Sequence, residues 1–157
     1  MKKCIVMVVA LLLVLPAGLA FAERHWVSLE YIGRVGIGLR YEGVITPSFT
    51  LGAYFSAVGS LVSASHCVTV GGGATGRWYP TARRFFTELS LGLGEFYNVL
   101  ESHVNYGPGL TITPGIGWTI DVGKPGGFFI ATGARLPIFC AGSDVSVEPY
   151  FGVGWAF

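Results

Sequence analysis

The feature that most constrains this chain is a two-residue alternation of apolar with polar or small side chains, which recurs along most of its length. The stretch 110–122 is the clearest case, because apolar residues occupy every second position from Leu110 to Val122. The positions between them hold threonine, glycine and Asp121. A strand places two such sets on opposite faces, whereas a helix mixes them around its circumference. The alternation therefore predicts an all-β protein.

The first 22 residues differ from the rest. They have the three parts of a secretory signal peptide: lysines at positions 2 and 3, an apolar core over 4–15, and a small-x-small cleavage site at Ala20 and Ala22. An uncleaved membrane anchor is the alternative, and Pro16 together with the small residues at the site argues against it. We expect 1–22 to be a signal peptide and 23–157 to be one exported domain.

Turn chemistry divides the mature chain into strands. Short connections rich in glycine and proline fall at 43–47, 80–83 and 123–127, and longer ones near 59–65, 98–105 and 140–144. This alternation of short and long connections is typical of membrane barrels, whose short turns are periplasmic. We predict strands over 34–42, 48–58, 66–79, 84–97, 106–122, 127–139 and 145–157.

An eighth strand has to come from 23–33, because bacterial barrels have an even number of strands. The alternation runs unbroken from Val27 to Glu42, however, so the stretch 23–42 also fits one long strand. We predict an antiparallel up-and-down transmembrane β-barrel of eight strands. Whether 23–42 forms one strand or two stays open.

Composition bears on which face of the barrel meets lipid. The chain is 52% hydrophobic and only 12% charged, which is unusual for a soluble domain. Its apolar face is nearly free of charge, whereas the other face mixes charges of both signs with glycine. We predict lipid outside and a polar lumen inside, so that 23–157 would be one outer-membrane β-barrel domain of a diderm bacterium. A soluble, lipocalin-like periplasmic binder with its faces reversed is the alternative. Close glycine pairs would make room in a narrow lumen at 36/38, 71/73, 92/94, 115/117 and 152/154.

Charged residues on the polar face are expected to pair across the lumen, because an unpaired buried charge is costly. At eight strands, side chains about fill the interior of a barrel, so we expect no bulk diffusion through it. The predicted lumen charge network consists of Arg40, Arg77, Glu88, Asp121, Arg135 and Glu148.

Outward-facing aromatic residues are predicted to form a girdle at the periplasmic end of the barrel. Trp and Tyr favour the membrane interface, and outer-membrane barrels carry aromatic girdles there. The predicted girdle consists of Tyr41, Phe49, Trp78, Phe85, Phe128, Trp155 and Phe157.

Two stretches resemble the small eight-stranded outer-membrane barrels of the opacity and outer-membrane-protein-W/X/A-like superfamily. The first is Arg77-Trp78-Tyr79-Pro80, followed by Phe86, Glu88 and Gly92-Leu93-Gly94. The second is the ending, where Tyr150, Phe151, Trp155 and Phe157 resemble the signal read by the barrel assembly machinery. The resemblance implies residence among outer-membrane lipids, contact with that machinery during biogenesis, outer loops for recognition, and little or no pore.

Four residues in predicted outer loops are candidates for catalysis: Ser65, His66, Ser102 and His103. Some outer-membrane barrels modify lipid A with Ser, His and an acid. A nucleophile needs its base within hydrogen-bond reach and a third group to orient that base, which adjacent residues seldom achieve. We expect a non-enzymatic protein for envelope structure, for adhesin-like surface recognition of a ligand, or for passage of small apolar molecules. A lipid A-modifying enzyme is the alternative.

No motif indicates a cofactor, a metal or nucleic acid. Gly71, Gly73 and Gly76 spell Gly-x-Gly-x-x-Gly, but Pro80 follows shortly where a dinucleotide site needs a helix. The three histidines lack metal-ligand spacing, and no basic patch suggests nucleic acid. Cys67 and Cys140 permit a disulfide in an oxidising compartment, but they fall on predicted strands that are not neighbours, so two free thiols fit the sequence at least as well.

Overall fold

The computed structural model describes residues 22, 24–33, 35–60, 67–81, 84–98, 103–123, 126–139 and 147–157. Within these ranges the chain forms antiparallel strands. Strand β7 has two segments, because it is interrupted at Leu136 and Pro137. The strands are β1 His25–Ile32, β2 Val35–Thr46, β3 Phe49–Ser60, β4 Cys67–Thr81, β5 Phe85–Asn98, β6 His103–Asp121, β7 Phe128–Arg135 with Ile138–Phe139, and β8 Glu148–Ala156.

The sheet closes on itself. Each strand pairs with its neighbours in sequence, and β8 also pairs with β1 in a register that sets Leu29 opposite Val153. No edge is left between the first and the last strand. The prediction of an all-β, eight-stranded antiparallel barrel is confirmed.

The uncertain stretch near the start forms two strands. A tight turn at Gly33, whose φ is +61°, reverses the chain and sets Tyr31 opposite Ile37. Glycine adopts positive φ at little cost, which suits it to this turn. Two positions separate β1 from β2, so the alternation stays in phase across the turn. That is why the sequence also reads as one long strand.

Two connections are shorter than predicted. Strand β5 runs to Asn98, which lies opposite His103 at the start of β6, so half of the predicted loop at 98–105 belongs to the two strands, and 99–102 lie outside the described residues. Strand β2 likewise continues to Thr46, through most of the predicted turn at 43–47. A strand is continued by backbone hydrogen bonds, which do not require the apolar alternation from which the ends were predicted.

Proline interrupts β7 in the second half of the strand. The backbone nitrogen of Leu136 donates to the carbonyl of Pro114 on β6 at 2.9 Å, and pairing with β6 resumes at Ile138 and Phe139. Pro137 lacks an N–H group and so cannot donate to the ladder. The break lies within one barrel strand and adds no ninth strand to the wall.

The two faces of the wall differ sharply. Outward side chains are large and apolar; Leu39 is 53% and Ile116 49% exposed. Inward side chains are mostly polar, charged or glycine, and Arg77 is 0% exposed. Among the described residues no helix is long and apolar enough to cross a membrane.

Candidate functional site

Six charged side chains from five strands meet in the lumen, and we call them the lumen cluster. Inward-facing positions on neighbouring strands bring them to similar heights in the barrel. All six are buried, with exposed fractions of 6% or less. They are Glu30 on β1, Arg40 and Glu42 on β2, Arg77 on β4, Glu88 on β5 and Arg135 on β7.

Glu88 contacts all three arginines of the lumen cluster. Its carboxylate oxygens lie 2.6 Å from Nε of Arg135, 3.0 Å from Nε of Arg77 and 3.5 Å from Nη2 of Arg40. Hydrogen bonds between charged partners are stronger than neutral ones. One carboxylate on β5 therefore links β2, β4 and β7 across the barrel.

Glu30 makes an equivalent set of contacts from the other side. Its oxygens lie 3.0 Å from Nε of Arg40 and 3.2 Å from Nη2 of Arg77, and they also accept a short hydrogen bond from Nη2 of Arg135. Glu42 completes the cluster, 3.0 Å from Nη1 of Arg77 and 3.8 Å from Nη1 of Arg40. Three positive and three negative charges are thus paired, which offsets the cost of burying them.

Hydroxyl groups surround the charges. Arg40 Nη1 donates to Oγ1 of Thr75 at 2.6 Å, and Ser90 donates to the same oxygen at 2.9 Å. Thr50 on β3 donates to Glu42 at 3.2 Å. These contacts take up hydrogen-bonding capacity that the ion pairs leave over and add β3 to the cross-barrel network.

Aromatic rings hold two of the guanidinium groups. The Arg135 guanidinium lies 3.9 Å from the ring centroid of Tyr150, and that of Arg77 lies 4.3 Å from the centroid of Phe86. Both distances are within the range of cation–π attraction, which is stronger in a desolvated site.

Glycine on neighbouring strands makes room for the cluster. A Cβ atom added at Gly115 would lie 2.8 Å from Cγ of Glu88, and one at Gly152 would lie 3.0 Å from Cγ of Glu30. Van der Waals contact between carbons is reached at about 3.5–4.0 Å. The glycines of the inner face thus provide space for large neighbours, the purpose expected from the sequence.

A layer of rings lies below the lumen cluster, toward the barrel end that holds the turn between β2 and β3. Trp26 contacts Tyr79 and Phe129, with ring centroids 5.8 and 5.5 Å apart, and Tyr79 contacts Phe86 at 5.4 Å. All four rings are buried. These four rings, the inner aromatic layer, lie in the lumen between the lumen cluster and that end of the barrel.

Of the six residues predicted for the charge network, the structure brings together Arg40, Arg77, Glu88 and Arg135. Asp121 lies exposed at the end of β6. Glu148 is half-buried at the start of β8, opposite Arg135 in register, and the described residues include no ion pair to it.

The predicted set omitted Glu30 and Glu42. Glu42 alternates in phase with Arg40, and Glu30 shares that phase across the turn at Gly33. The signal was therefore present in the sequence, but it was obscured while the number of strands in 23–42 was open.

The described part of the chain does not bring the catalytic candidates together. Ser65, His66 and Ser102 lie outside the described residues. His103 begins β6 and Cys67 begins β4, but their side chains are outside the description, as is Cys140. In the described ranges no group of three or more His, Cys, Asp or Glu side chains is arranged to hold a metal ion.

Outward-facing rings line the wall near the same end as the inner aromatic layer. Phe85 packs edge-on against Trp118 with centroids 5.1 Å apart, and Trp155 and Phe157 are more than half exposed. Trp118 was not among the residues predicted for this girdle. We call this set the outer aromatic belt; it consists of Tyr41, Phe49, Trp78, Phe85, Trp118, Phe128, Trp155 and Phe157.

The barrel is similar to two solved outer-membrane structures. Against the N-terminal β-barrel domain of Pseudomonas aeruginosa OprF the TM-score is 0.64, with 10% identity, covering 85% of this chain and 96% of that one. Against the Yersinia pestis outer membrane protein Ail, determined in a phospholipid bilayer nanodisc, it is 0.58, with 11% identity, covering 85% and 99%. This is the fold of a small outer-membrane β-barrel.

Such a barrel needs its apolar face in lipid, and the exposed Leu39 and Ile116 meet that need. The reversed arrangement of a lipocalin-like binder is excluded, because here the buried inner face carries the charges.

No protein-family model and no curated protein sequence matches the chain. At 10–11% identity the likeness shows the fold alone.

Proposed function

We propose that the protein is an integral outer-membrane barrel with a blocked lumen, and that its work is done by the outer connections and by the barrel as an envelope component. The observation that carries the proposal is the lumen cluster. Its six charges are paired with one another, buried, and contributed by strands on different sides of the barrel.

A solute crossing the lumen would have to separate these pairs. Removing one partner of a buried ion pair costs about 3–5 kcal/mol, because the other charge is left uncompensated. Glu88 and Glu30 each contact three arginines, so an opening would break several contacts at once. The inner aromatic layer would still lie in the path. Free diffusion of polar solutes is therefore not the function we propose.

Recognition then falls to the connections at the end of the barrel opposite the outer aromatic belt. Residues 61–66, 99–102 and 140–146 join strands at the end opposite the outer aromatic belt. Outer-membrane barrels place longer loops outside the cell and short turns in the periplasm, which supports this orientation. We propose that these connections give the protein adhesin-like contacts or a structural role at the cell surface.

Export and insertion belong to the same proposal. We propose cleavage between Ala22 and residue 23, and recognition of the ending by the assembly machinery through Tyr150, Phe151, Trp155 and Phe157. In support, Phe151, Trp155 and Phe157 face outward on the last strand, where another protein can reach them before the barrel closes. The mass of the protein purified from outer membranes tests the cleavage site.

The decisive experiment combines folding with flux. Residues 23–157 refolded in detergent should migrate differently on a gel before and after boiling, and vesicles containing the barrel should not swell in isosmotic arabinose. Swelling at porin-like rates would contradict the blocked lumen.

Shortening the connections at 61–66 and 99–102, with the strands kept, should abolish binding to host surfaces; unchanged binding would leave only the envelope role.

A further inference from the structure

Two arginines lie on the rim next to the outer aromatic belt. Arg24 and Arg84 are both exposed, and their backbone positions are fixed. The carbonyl of Arg24 accepts a hydrogen bond from the nitrogen of Val44 at 2.9 Å, and that of Arg84 accepts one from Thr119 at 2.6 Å. They precede β1 and β5, which are four strands apart in a ring of eight, so they lie on opposite sides of the barrel.

Each arginine is followed at once by outward-facing rings. After Arg24, the His25 ring stacks on Tyr41 with centroids 5.6 Å apart and planes 15° apart, and it contacts Phe157 at a tilt of 30° with centroids 5.9 Å apart. After Arg84, Phe85 packs against Trp118. The rim therefore carries two similar units, each a cation beside a group of rings.

The His25 ring is hydrogen-bonded to Tyr41. Its Nδ1 atom is 2.8 Å from the hydroxyl oxygen of Tyr41. Where the phenol hydroxyl donates to Nδ1, the imidazole proton is on Nε2. In that tautomer the first unit offers an Nε2–H group in addition to the Arg24 guanidinium.

We propose that these two units bind the phosphate groups of anionic phospholipids in the periplasmic leaflet of the outer membrane. The inference rests on the proposed insertion and orientation of the barrel. Aromatic residues of the belt mark the depth of the headgroups, and arginine pairs with phosphate oxygens through two parallel N–H groups. Asp121 is also exposed at the end of β6, and the arginines outnumber it among the described rim residues. Two contacts on opposite sides would fix the depth and tilt of the barrel.

Native mass spectrometry of the refolded barrel in detergent, titrated with phosphatidylglycerol or phosphatidylcholine, tests this. The variants are Arg24→Gln, Arg84→Gln and the double variant. A difference in gel migration between the unboiled and the boiled protein first establishes that each variant is a closed barrel. This control separates a failure of folding from a failure of lipid binding. The wild-type barrel should retain more phosphatidylglycerol than phosphatidylcholine. Each substitution should weaken phosphatidylglycerol binding about fivefold, the effect of one basic residue near an anionic surface.

Two further variants make the result specific. Arg34→Gln removes one positive charge next in sequence to Gly33, whose turn lies at the other end of the barrel, and should leave binding unchanged. His25→Phe keeps a ring for the stack and removes Nε2–H, so it should weaken binding by less than Arg24→Gln does. The proposal is overturned if the wild-type barrel has no preference for phosphatidylglycerol, if the double variant keeps the preference, or if Arg34→Gln lowers it equally.

Discussion

At the scale of single residues, the balance of the lumen cluster is its most testable property. Glu88→Gln removes one of three negative charges and leaves Arg40, Arg77 and Arg135 facing only Glu30 and Glu42. We expect the free energy of unfolding to fall by about 3–5 kcal/mol, because a buried charge loses its partner. Urea unfolding of the barrel in lipid vesicles, followed by tryptophan fluorescence, measures the change.

The matched control is Asp121→Asn, which makes a comparable neutralisation at an exposed carboxylate outside the cluster. Its effect should stay within about 0.5 kcal/mol, as for most surface substitutions. Equal effects of the two substitutions would mean that the ion pairs described for Glu88 do not contribute to the stability of the barrel.

Gly115 tests the packing around the charges. A Cβ atom there would lie 2.8 Å from Cγ of Glu88 and 3.0 Å from the carbonyl oxygen of Ala134. We expect Gly115→Ala to cost about 1–3 kcal/mol, the usual cost of overpacking. In Gly59→Ala the added atom has its nearest neighbour, the Val35 carbonyl oxygen, at 3.3 Å, so the loss should be smaller. A reversed order in urea unfolding would count against the packing described for the lumen.

At the scale of the strand, the sequence indicates on which face a side chain lies, but it says much less about the height of that side chain along the barrel axis. Alternation identifies which side chains share a face, and it therefore identified Arg40, Arg77, Glu88 and Arg135 as inward. Asp121 and Glu148 share that face by alternation, yet Asp121 lies at a strand end away from the cluster, and Glu148, although opposite Arg135 in register, forms no ion pair among the described residues. The stagger between neighbouring strands decides which inward residues meet, and it depends on pairing between segments distant in sequence. A single strand pattern does not contain that information.

The hairpin between β1 and β2 depends on one backbone conformation. Gly33 has φ of +61°, and a Cβ atom there would meet nothing within 4 Å. The cost of Gly33→Ala should therefore be conformational alone, about 1–2 kcal/mol for a left-handed residue. Gly33→Asn should cost less, because asparagine tolerates this region better. Urea unfolding in vesicles should rank glycine above asparagine above alanine; equal stability would mean that the turn does not need the left-handed conformation.

At the scale of the whole molecule, the distribution of charge and the closure of the wall depend on each other. The charges of the lumen cluster pair with one another only when β1, β2, β4, β5 and β7 all face one interior. Glu30 and Arg135, for example, are hydrogen-bonded although they lie 105 positions apart in the sequence. A partly assembled sheet would expose unpaired charges on one side and apolar residues on the other. Pairing of β8 with β1 is therefore the step that gives both faces their proper surroundings.

That closure is testable with paired cysteines on the outward face, after Cys67 and Cys140 are replaced by serine. Leu29 lies directly opposite Val153 across the junction of β1 and β8. Opposed residues have Cα atoms about 4.5–5.5 Å apart, within the range of about 4.4–6.8 Å that a disulfide bridges. We expect Leu29→Cys with Val153→Cys to oxidise in the refolded barrel, and the bond to keep the boiled protein from migrating as a linear chain. The pair Leu29→Cys with Phe151→Cys, displaced by two positions, should oxidise far less. Efficient oxidation of the displaced pair alone would require a different register, and with it a different set of charges meeting in the lumen.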